Sequence, residues 1–295
     1  MADTPHNPTP ADETAVEAAC DPGRLLAALE RVISPRKRMM TAYSGGVDST
    51  LVAAVARRVL GKTNAPAVIG DSLSLPRAEL TDAHEVAGQL DFDLMVVSPG
   101  EQDDPGYQQN AGDRCYFCKT HLYRILQAKA GELGMAFIAN GTNTDDLGDY
   151  RPGLRAADEA QVVSPLIEAG LNKAAVRLLA DHLGLPNADK PAAACLASRI
   201  PYGTAVTPER LAQIEAAEAA LHALGLTQLR VRHHEQVARI ELSADQMQQV
   251  LDPNVRQVVI DAVKSAGFLY VAVDLEGFRS GSGNIALTVN ATQPA

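Results

Sequence analysis

The sequence of 295 residues has no tryptophan and few aromatic residues, and no apolar run reaches the roughly 18 residues that a membrane-spanning helix needs. The N-terminus lacks the charged and apolar regions of a secretory signal. The formal charge of −10 argues against a nucleic-acid partner, because such partners usually require a basic face. We therefore expect a cytoplasmic protein without a membrane anchor.

The nucleotide-binding motifs Gly-x-x-x-x-Gly-Lys-Ser/Thr and Gly-x-Gly-x-x-Gly are also missing. Instead, a predicted strand at residues 39–43 and a predicted helix at residues 51–56 flank a glycine-rich loop. Glycines allow backbone amides to approach phosphate oxygens at a helix N-terminus. The loop resembles the pyrophosphate loop (PP-loop) of N-type ATP pyrophosphatases, and an ordinary glycine-rich turn is the alternative. The candidate ATP-binding residues here are Ser44, Gly45, Gly46, Val47, Asp48 and Ser49.

Further predicted strands alternate with helices, which is typical of βαβ units and a parallel sheet. The strands are expected at residues 65–71, 92–97 and 137–140, and residues 161–165 are a candidate fifth strand. The predicted fold class is therefore α/β, a Rossmann-like doubly wound parallel sheet. Ligands bind such sheets beyond the carboxyl ends of the strands, which is where Ser44, Asp71, Ser98 and Gly141 fall.

The composition changes near residue 200, where Thr207-Pro208 predicts a helix start. Strands and helices then follow in the order expected of a small α+β domain. We predict a disordered tail at residues 1–21, an ATP pyrophosphatase domain at 22–203, a C-terminal α+β domain at 204–283, and a tail at 284–295.

A second polar stretch begins directly after the strand at residues 137–140, with Gly141, Thr142 and three closely spaced carboxylates. These carboxylates repel one another unless a cation or hydrogen-bond donors compensate their charge. They are therefore candidates for Mg²⁺ binding or for orienting substrate, and an aspartate-rich helix cap is the alternative. The three are Asp145, Asp146 and Asp149.

Cys115 and Cys118 form a Cys-x-x-Cys pair that we place before a helix at residues 121–130. The pair alone cannot complete a zinc site, and a redox pair or two buried apolar cysteines remain open. Cys195 is a third cysteine, and Arg199 is near enough to favour its thiolate. Three thiolates can hold a [4Fe–4S] cluster and leave one iron open for an added sulfide.

The C-terminal region suits an anionic substrate. Arg230 and Arg232 alternate at strand period and so share one face, where arginine can fork onto phosphate or carboxylate oxygens. Arg279 lies in a Ser/Gly loop that also suits phosphate.

Five motifs together resemble the LarE family of ATP-dependent sulfur transferases, over roughly residues 24–283. They are the pyrophosphate loop, Gly70-Asp71-Ser72, residues 114–119 (Arg-Cys-Tyr-Phe-Cys-Lys), the stretch from Gly141 to Gly153, and residues 195–203 (Cys-Leu-Ala-Ser-Arg-Ile-Pro-Tyr-Gly). The resemblance implies that ATP adenylates the carboxylates of pyridinium-3,5-biscarboxylic acid mononucleotide, which become thiocarboxylates for the nickel-pincer nucleotide of lactate racemase.

The resemblance also implies residue roles. ATP would be bound by the loop with Asp71, Ser72, Gly141, Thr142 and Asp145. The mononucleotide would be bound by Ser198, Arg199, Arg230, Arg232 and Arg279, and Glu218 and Glu241 are similar to acidic residues of a family metal site. Sulfur would come from Cys195 itself, which ends as dehydroalanine, or from a [4Fe–4S] cluster on Cys115, Cys118 and Cys195, which we favour. The expected cofactors are ATP, Mg²⁺ and this cluster, and a homo-oligomer is expected.

Three other functions compete with this hypothesis. A tRNA thiolase shares the loop, the cysteines and the adenylation. An ammonia-using ligase of the NAD-synthetase or GMP-synthetase kind has the loop but needs no three cysteines. A non-catalytic iron–sulfur or nucleotide-sensing protein would release no pyrophosphate in response to a carboxylate substrate.

Overall fold

The computed structural model describes residues 21–148 and 152–279. Most of both predicted tails and Asp149 lie outside these residues. The strands are β1 (Met39–Ala42), β2 (Ala67–Gly70), β3 (Leu94–Val97), β4 (Phe137–Ala139), β5 (Leu229–His234), β6 (Val237–Leu242) and β7 (Tyr270–Val273).

Helices separate the strands of the first sheet, as the sequence predicts. The helices are α1 (Pro22–Ile33), α2 (Val47–Leu60), α3 (Arg77–Gln89), α4 (Pro105–Gln108), α5 (Arg114–Leu133), α6 (Pro152–Glu159), α7 (Pro165–Glu168), α8 (Lys173–His182), α9 (Pro208–Ala223), α10 (Ala244–Leu251) and α11 (Pro253–Ser265).

The first sheet has the strand order β3-β2-β1-β4, and every pair is parallel. The second sheet has the order β5-β6-β7, with an antiparallel and then a parallel pair. The predicted α/β class with a smaller C-terminal sheet is confirmed. The candidate fifth strand is reduced to one parallel bridge between Ala139 and Val163. Gln161 has a positive φ, and Pro165 already begins α7, so little extended chain remains there.

The chain divides into two compact units, each made of separate segments. The described part of the first unit comprises residues 21–70, 80–97, 123–148 and 152–192, and that of the second comprises residues 71–79, 98–122 and 193–279. The predicted domain boundary at residue 203 stays a prediction. None of the helices described combines the length and the apolar character needed to cross a membrane.

Each unit has its own apolar core. In the first, α1, α2 and α8 pack together through fully buried aliphatic side chains such as Leu29, Leu51 and Leu179. In the second, α9 and α11 pack on β5 and β6 through side chains such as Leu221 and Ile240. Burial of these side chains stabilises each unit by about 1.5–3 kcal/mol per large aliphatic residue.

Candidate active site

The glycine-rich loop joins β1 to α2 in the first unit. Gly45 has φ of 75°, a left-handed conformation that glycine adopts without steric cost. Gly46 has φ of −78° and is the N-cap of α2. Of the two glycines, Gly45 therefore has a positive φ and Gly46 does not. No side chain caps this helix, which leaves its first amides directed at the loop, as a phosphate site requires.

Hydroxyl groups and a buried amide fix the shape of this loop. Ser49 Oγ accepts from the Ser44 amide at 3.1 Å and lies 3.0 Å from Ser44 Oγ. Asn187 Nδ2 donates to the carbonyl oxygen of Gly45 and to Thr50 Oγ1, both at 2.9 Å. Asn187 was not predicted from the sequence, and it restrains the loop from a position more than a hundred residues away.

Gly141, at the end of β4, lies against the start of α2. A Cβ atom added at Gly141 would lie 2.6 Å from the Ser49 backbone nitrogen and 2.9 Å from the Asp48 carbonyl carbon. Both are backbone atoms, so they cannot rotate away as a flexible side chain would. The carboxyl end of β4 therefore lies against the glycine-rich loop only because residue 141 has no side chain.

We expect Gly141→Ala to lower the thermal unfolding midpoint by several degrees, because overpacking against backbone costs about 1–3 kcal/mol. Gly148→Ala is the matched control, since a Cβ atom there meets no atom within 4 Å. Differential scanning calorimetry of both variants would test this. Equal midpoints for the two variants would contradict the contact between Gly141 and the loop.

Asp48 is held by two side chains that arrive from later in the chain. Asn143 Nδ2 donates to Asp48 Oδ1 at 3.1 Å, and Lys173 Nζ forms an ion pair with Asp48 Oδ2. Lys173 is the first residue of α8, and its own amide donates to Asp145 Oδ2 at 3.0 Å. Lys173 was not predicted from the sequence, and it places a cation beside the predicted phosphate loop.

The acidic stretch after β4 is satisfied largely by backbone amides. Asp146 Oδ2 accepts from the Asn143 amide at 3.0 Å, and Asn143 Oδ1 accepts from the Asp145 amide at the same distance. Asp145 and Asp146 thus each accept a hydrogen bond from a backbone amide. The roles predicted for Asp145 and Asp146 in ATP or Mg²⁺ binding stay predictions, as does that of Asp149.

Asp71 and Ser72 belong to the second unit. Arg77 Nη1 lies 2.5 Å from Asp71 Oδ1, and Arg77 Nη2 donates to the Ser72 carbonyl oxygen at 2.7 Å. Ser72 Oγ donates to the buried carboxylate of Glu101. These contacts order the turn after β2, and ATP binding by Asp71 and Ser72 stays a prediction.

Cys115 lies in the first turn of α5 and Cys118 at the start of the second turn, not before the helix as predicted. Their spacing places them on one side of that helix. Cys195 is the N-cap of a 3₁₀ turn at Leu196–Arg199, and it is exposed like Cys115. The second unit therefore carries all three predicted thiols.

Burial and nearby charges raise the pKa of both thiols of the Cys-x-x-Cys pair. Although Cys115 reaches solvent, partial desolvation by its neighbours raises its pKa, and the charge of Cys195 raises it further. Burial raises the pKa of Cys118 to about 12, with contributions from Glu101 and from Cys195. Within residues 21–148 and 152–279, no group of three or more His, Cys, Asp or Glu side chains is arranged to hold a metal ion. The [4Fe–4S] cluster on the three cysteines therefore stays a prediction.

The two predicted metal carboxylates, Glu218 and Glu241, are each bound by an arginine. Arg199 reaches Glu218 through Nε at 3.0 Å and Nη2 at 3.2 Å. Arg232 reaches Glu241 through Nε at 2.9 Å and Nη2 at 3.0 Å. All four residues are buried. Such bidentate pairs satisfy the carboxylates, and a metal role for them stays a prediction.

Arg230 differs from its neighbour on β5. In the described part of the chain its guanidinium makes no ion pair and lies 4.7 Å from the ring centroid of Phe278. Burial lowers the pKa of Arg230, and the positive charges of Arg199 and Arg232 lower it further. A partly desolvated cation favours an anionic ligand, and the substrate role of Arg230 stays a prediction. Arg279 pairs with Glu276 on the surface, and its substrate role also stays a prediction.

Comparison with known proteins agrees with the loop and the fold. Residues 29–109, which include β1, the loop, α2 and β2, match the NAD synthase family model. These features define a PP-loop protein of the ATP-using class.

The relatives identify the family within that class. The chain is 39% identical over 262 residues to the pyridinium-3,5-bisthiocarboxylic acid mononucleotide synthase of Lactiplantibacillus plantarum, covering 89% of this chain and 94% of the relative. The chain belongs to the family of that synthase. It is also 46% identical to an uncharacterized protein of Synechocystis sp., over 85% of this chain and 93% of that relative. A third relative, an uncharacterized protein of Methanocaldococcus jannaschii, is 28% identical over 83% of this chain and 92% of its own length.

Proposed function

We propose that the protein is an ATP-dependent sulfur transferase that converts the carboxylates of pyridinium-3,5-biscarboxylic acid mononucleotide to thiocarboxylates. The observation that carries the proposal is the family membership, together with a PP-loop and three free thiols in the second unit. The product would be used to build the nickel-pincer nucleotide of lactate racemase. The tRNA thiolase and ligase alternatives share the loop, but membership of the synthase family favours the small mononucleotide as substrate.

In the first step, a substrate carboxylate oxygen attacks the α-phosphorus of ATP and pyrophosphate leaves, which gives an acyl-adenylate. The amides from Gly45 to Ser49 would bind the phosphates, and Lys173 would neutralise charge that develops on the leaving pyrophosphate. Asp48 would orient Lys173 and could bind Mg²⁺, which supplies further charge stabilisation when present. Arg230 would bind the phosphate of the mononucleotide.

In the second step, a sulfur nucleophile attacks the acyl carbon and AMP leaves. If the Cys195 thiolate attacks, a thioester forms. Loss of the Cys195 α-proton and cleavage of the Cβ–S bond then release the thiocarboxylate and leave dehydroalanine. A [4Fe–4S] cluster held by Cys115, Cys118 and Cys195 would instead supply sulfide repeatedly, and we favour this route. We also propose that the protein is a homo-oligomer.

The reaction is tested by pyrophosphate release from ATP in the presence of the biscarboxylic acid mononucleotide, with mass spectrometry of the product. Release that depends on the mononucleotide and gives a thiocarboxylate supports the proposal. Release that depends on tRNA, or an amide product formed with ammonia, would overturn it in favour of one of the alternatives.

The sulfur source is tested by anaerobic purification followed by measurement of iron and acid-labile sulfide. We expect about four irons per chain and a broad visible absorption that Cys115→Ala removes, because three thiolates are needed to retain the cluster. Cys20→Ala is the matched control and should keep the absorption. A wild-type protein without iron after reconstitution would contradict the cluster route and leave Cys195 as the donor.

A further inference from the structure

The segment that carries Cys195, residues 194–198, is held through its backbone at every position. Arg199 Nη1 donates to the carbonyl oxygens of Ala194 and Cys195, the latter at 2.8 Å. Arg232 Nη1 donates to the carbonyl oxygen of Ser198 at 2.7 Å. We call residues 194–198 the Cys195 segment. All of these contacts lie within the second unit.

Two further contacts complete the set. Arg114 Nη1 donates to the carbonyl oxygen of Ala197 at 2.9 Å, and the amide of Leu196 donates to the carbonyl oxygen of Ser74 at 2.8 Å. Arg114 is buried, contacts the amide oxygen of Asn110, and faces the ring of Tyr202. Three buried arginines from three parts of the chain thus cap four carbonyl groups of one short segment.

Buried glutamates orient two of these three guanidinium groups. Each of Arg199 and Arg232 directs Nε and Nη2 at a buried glutamate and Nη1 at the Cys195 segment. A guanidinium is planar, so a glutamate held on one edge fixes where the third nitrogen points. All three nitrogens of each side chain therefore have protein acceptors.

We propose that Arg114, Arg199 and Arg232 are positioning residues that hold the Cys195 segment, and with it the exposed Cys195 thiol, in a single geometry. The proposal rests on the proposed function for the role of Cys195 in sulfur transfer. It assigns Arg199 and Arg232 a role other than the substrate binding predicted from the sequence. Anion binding on β5 is then left to Arg230, whose guanidinium contacts the ring of Phe278 instead of a carboxylate.

The test compares Arg232→Lys with Arg230→Lys in the full-length protein. Lysine at position 232 keeps a positive charge beside Glu241 but cannot reach both the carboxylate and the Ser198 carbonyl. Arg230→Lys is the matched control, because it makes the same change two residues away on the same strand. Amide hydrogen exchange over residues 194–199 and the rate of Cys195 alkylation, followed by peptide mass spectrometry, are measured without substrate.

For Arg232→Lys we expect amide exchange in the segment to speed up by about 10-fold and the alkylation rate of Cys195 to change by about 5-fold or more. In sulfur transfer we expect kcat to fall by about 10-fold or more, with the KM for the mononucleotide within about 3-fold of wild type. Arg230→Lys should leave exchange and alkylation unchanged and raise that KM by about 10-fold.

The proposal is overturned if Arg232→Lys leaves exchange and alkylation unchanged and raises the KM as Arg230→Lys does. Arg199→Lys and Arg114→Lys carry the same expectation, so a failure of one variant to fold does not end the test. Exchange and alkylation require no catalytic activity. A wild-type protein without sulfur transfer would therefore count against the proposed function alone.

Discussion

Asp48→Asn should lower the rate of ATP-dependent pyrophosphate release by about 100-fold or more. The carboxylate of Asp48 pairs with Lys173 and accepts from Asn143, and this is the charged centre beside the glycine-rich loop. An asparagine keeps the size but loses the charge that orients the lysine and that could bind Mg²⁺. Removing one preorganised electrostatic contact of this kind typically costs two to three orders of magnitude in kcat.

The matched control for Asp48→Asn is Asp91→Asn. Asp91 also pairs with basic side chains, Arg57 and Lys62, and these lower its pKa, but it lies on the surface away from the loop. Its positive φ is one that asparagine adopts readily. We expect activity within about 2-fold of wild type, because exposed ion pairs contribute little. If Asp48→Asn kept the wild-type rate of pyrophosphate release, the assignment of the glycine-rich loop to ATP binding would be contradicted.

Cys195→Ser should abolish thiocarboxylate formation while pyrophosphate release continues. A serine hydroxyl can neither donate sulfur nor act as a thiolate ligand, so both sulfur routes are blocked at one atom. The adenylation residues of the first unit are unchanged by this substitution, so the acyl-adenylate should still form and hydrolyse. Mass spectrometry of the product and a coupled pyrophosphate assay on the same sample would separate the two steps.

Cys20→Ser serves as the control for Cys195→Ser, because Cys20 is the fourth cysteine of the chain and belongs to no predicted site. It should form thiocarboxylate at the wild-type rate. Thiocarboxylate produced by Cys195→Ser at more than about one hundredth of the wild-type rate would rule out Cys195 as donor or ligand. Loss of pyrophosphate release in the same variant would mean that the cysteine is needed already for adenylation.

The parts of the site that the sequence predicts are those set by local pattern. The strand, the two glycines and the first turn of the helix lie within about a dozen residues, so short-range rules determine their geometry. Parallel strands end at one edge of a sheet, which correctly placed Gly141 beside the loop that follows β1. The strand is found at Met39–Ala42, close to the predicted residues 39–43, whereas the helix begins earlier than predicted, at Val47.

Contacts between segments that are distant in the sequence were not predicted, because no local pattern marks them. Lys173 meets Asp48 from 125 residues away, and no local pattern marks that pairing. Strand period correctly placed Arg230 and Arg232 on one face, but it does not fix which partner each side chain chooses. Glu241 lies opposite Arg230 in the strand register and instead pairs diagonally with Arg232.

The alternation of the two units along the chain affects how this protein can be divided. Three segments of each unit alternate, so the chain passes between the units five times. The second unit takes residues 71–79 and 98–122 from directly after β2 and β3. A gene cut at residue 203 would thus leave Ser74 and Arg114 on one fragment and Arg232 on the other. Recombination among relatives at that point would exchange Arg232, together with Glu218 and Glu241, while keeping the residues that they contact around Cys195.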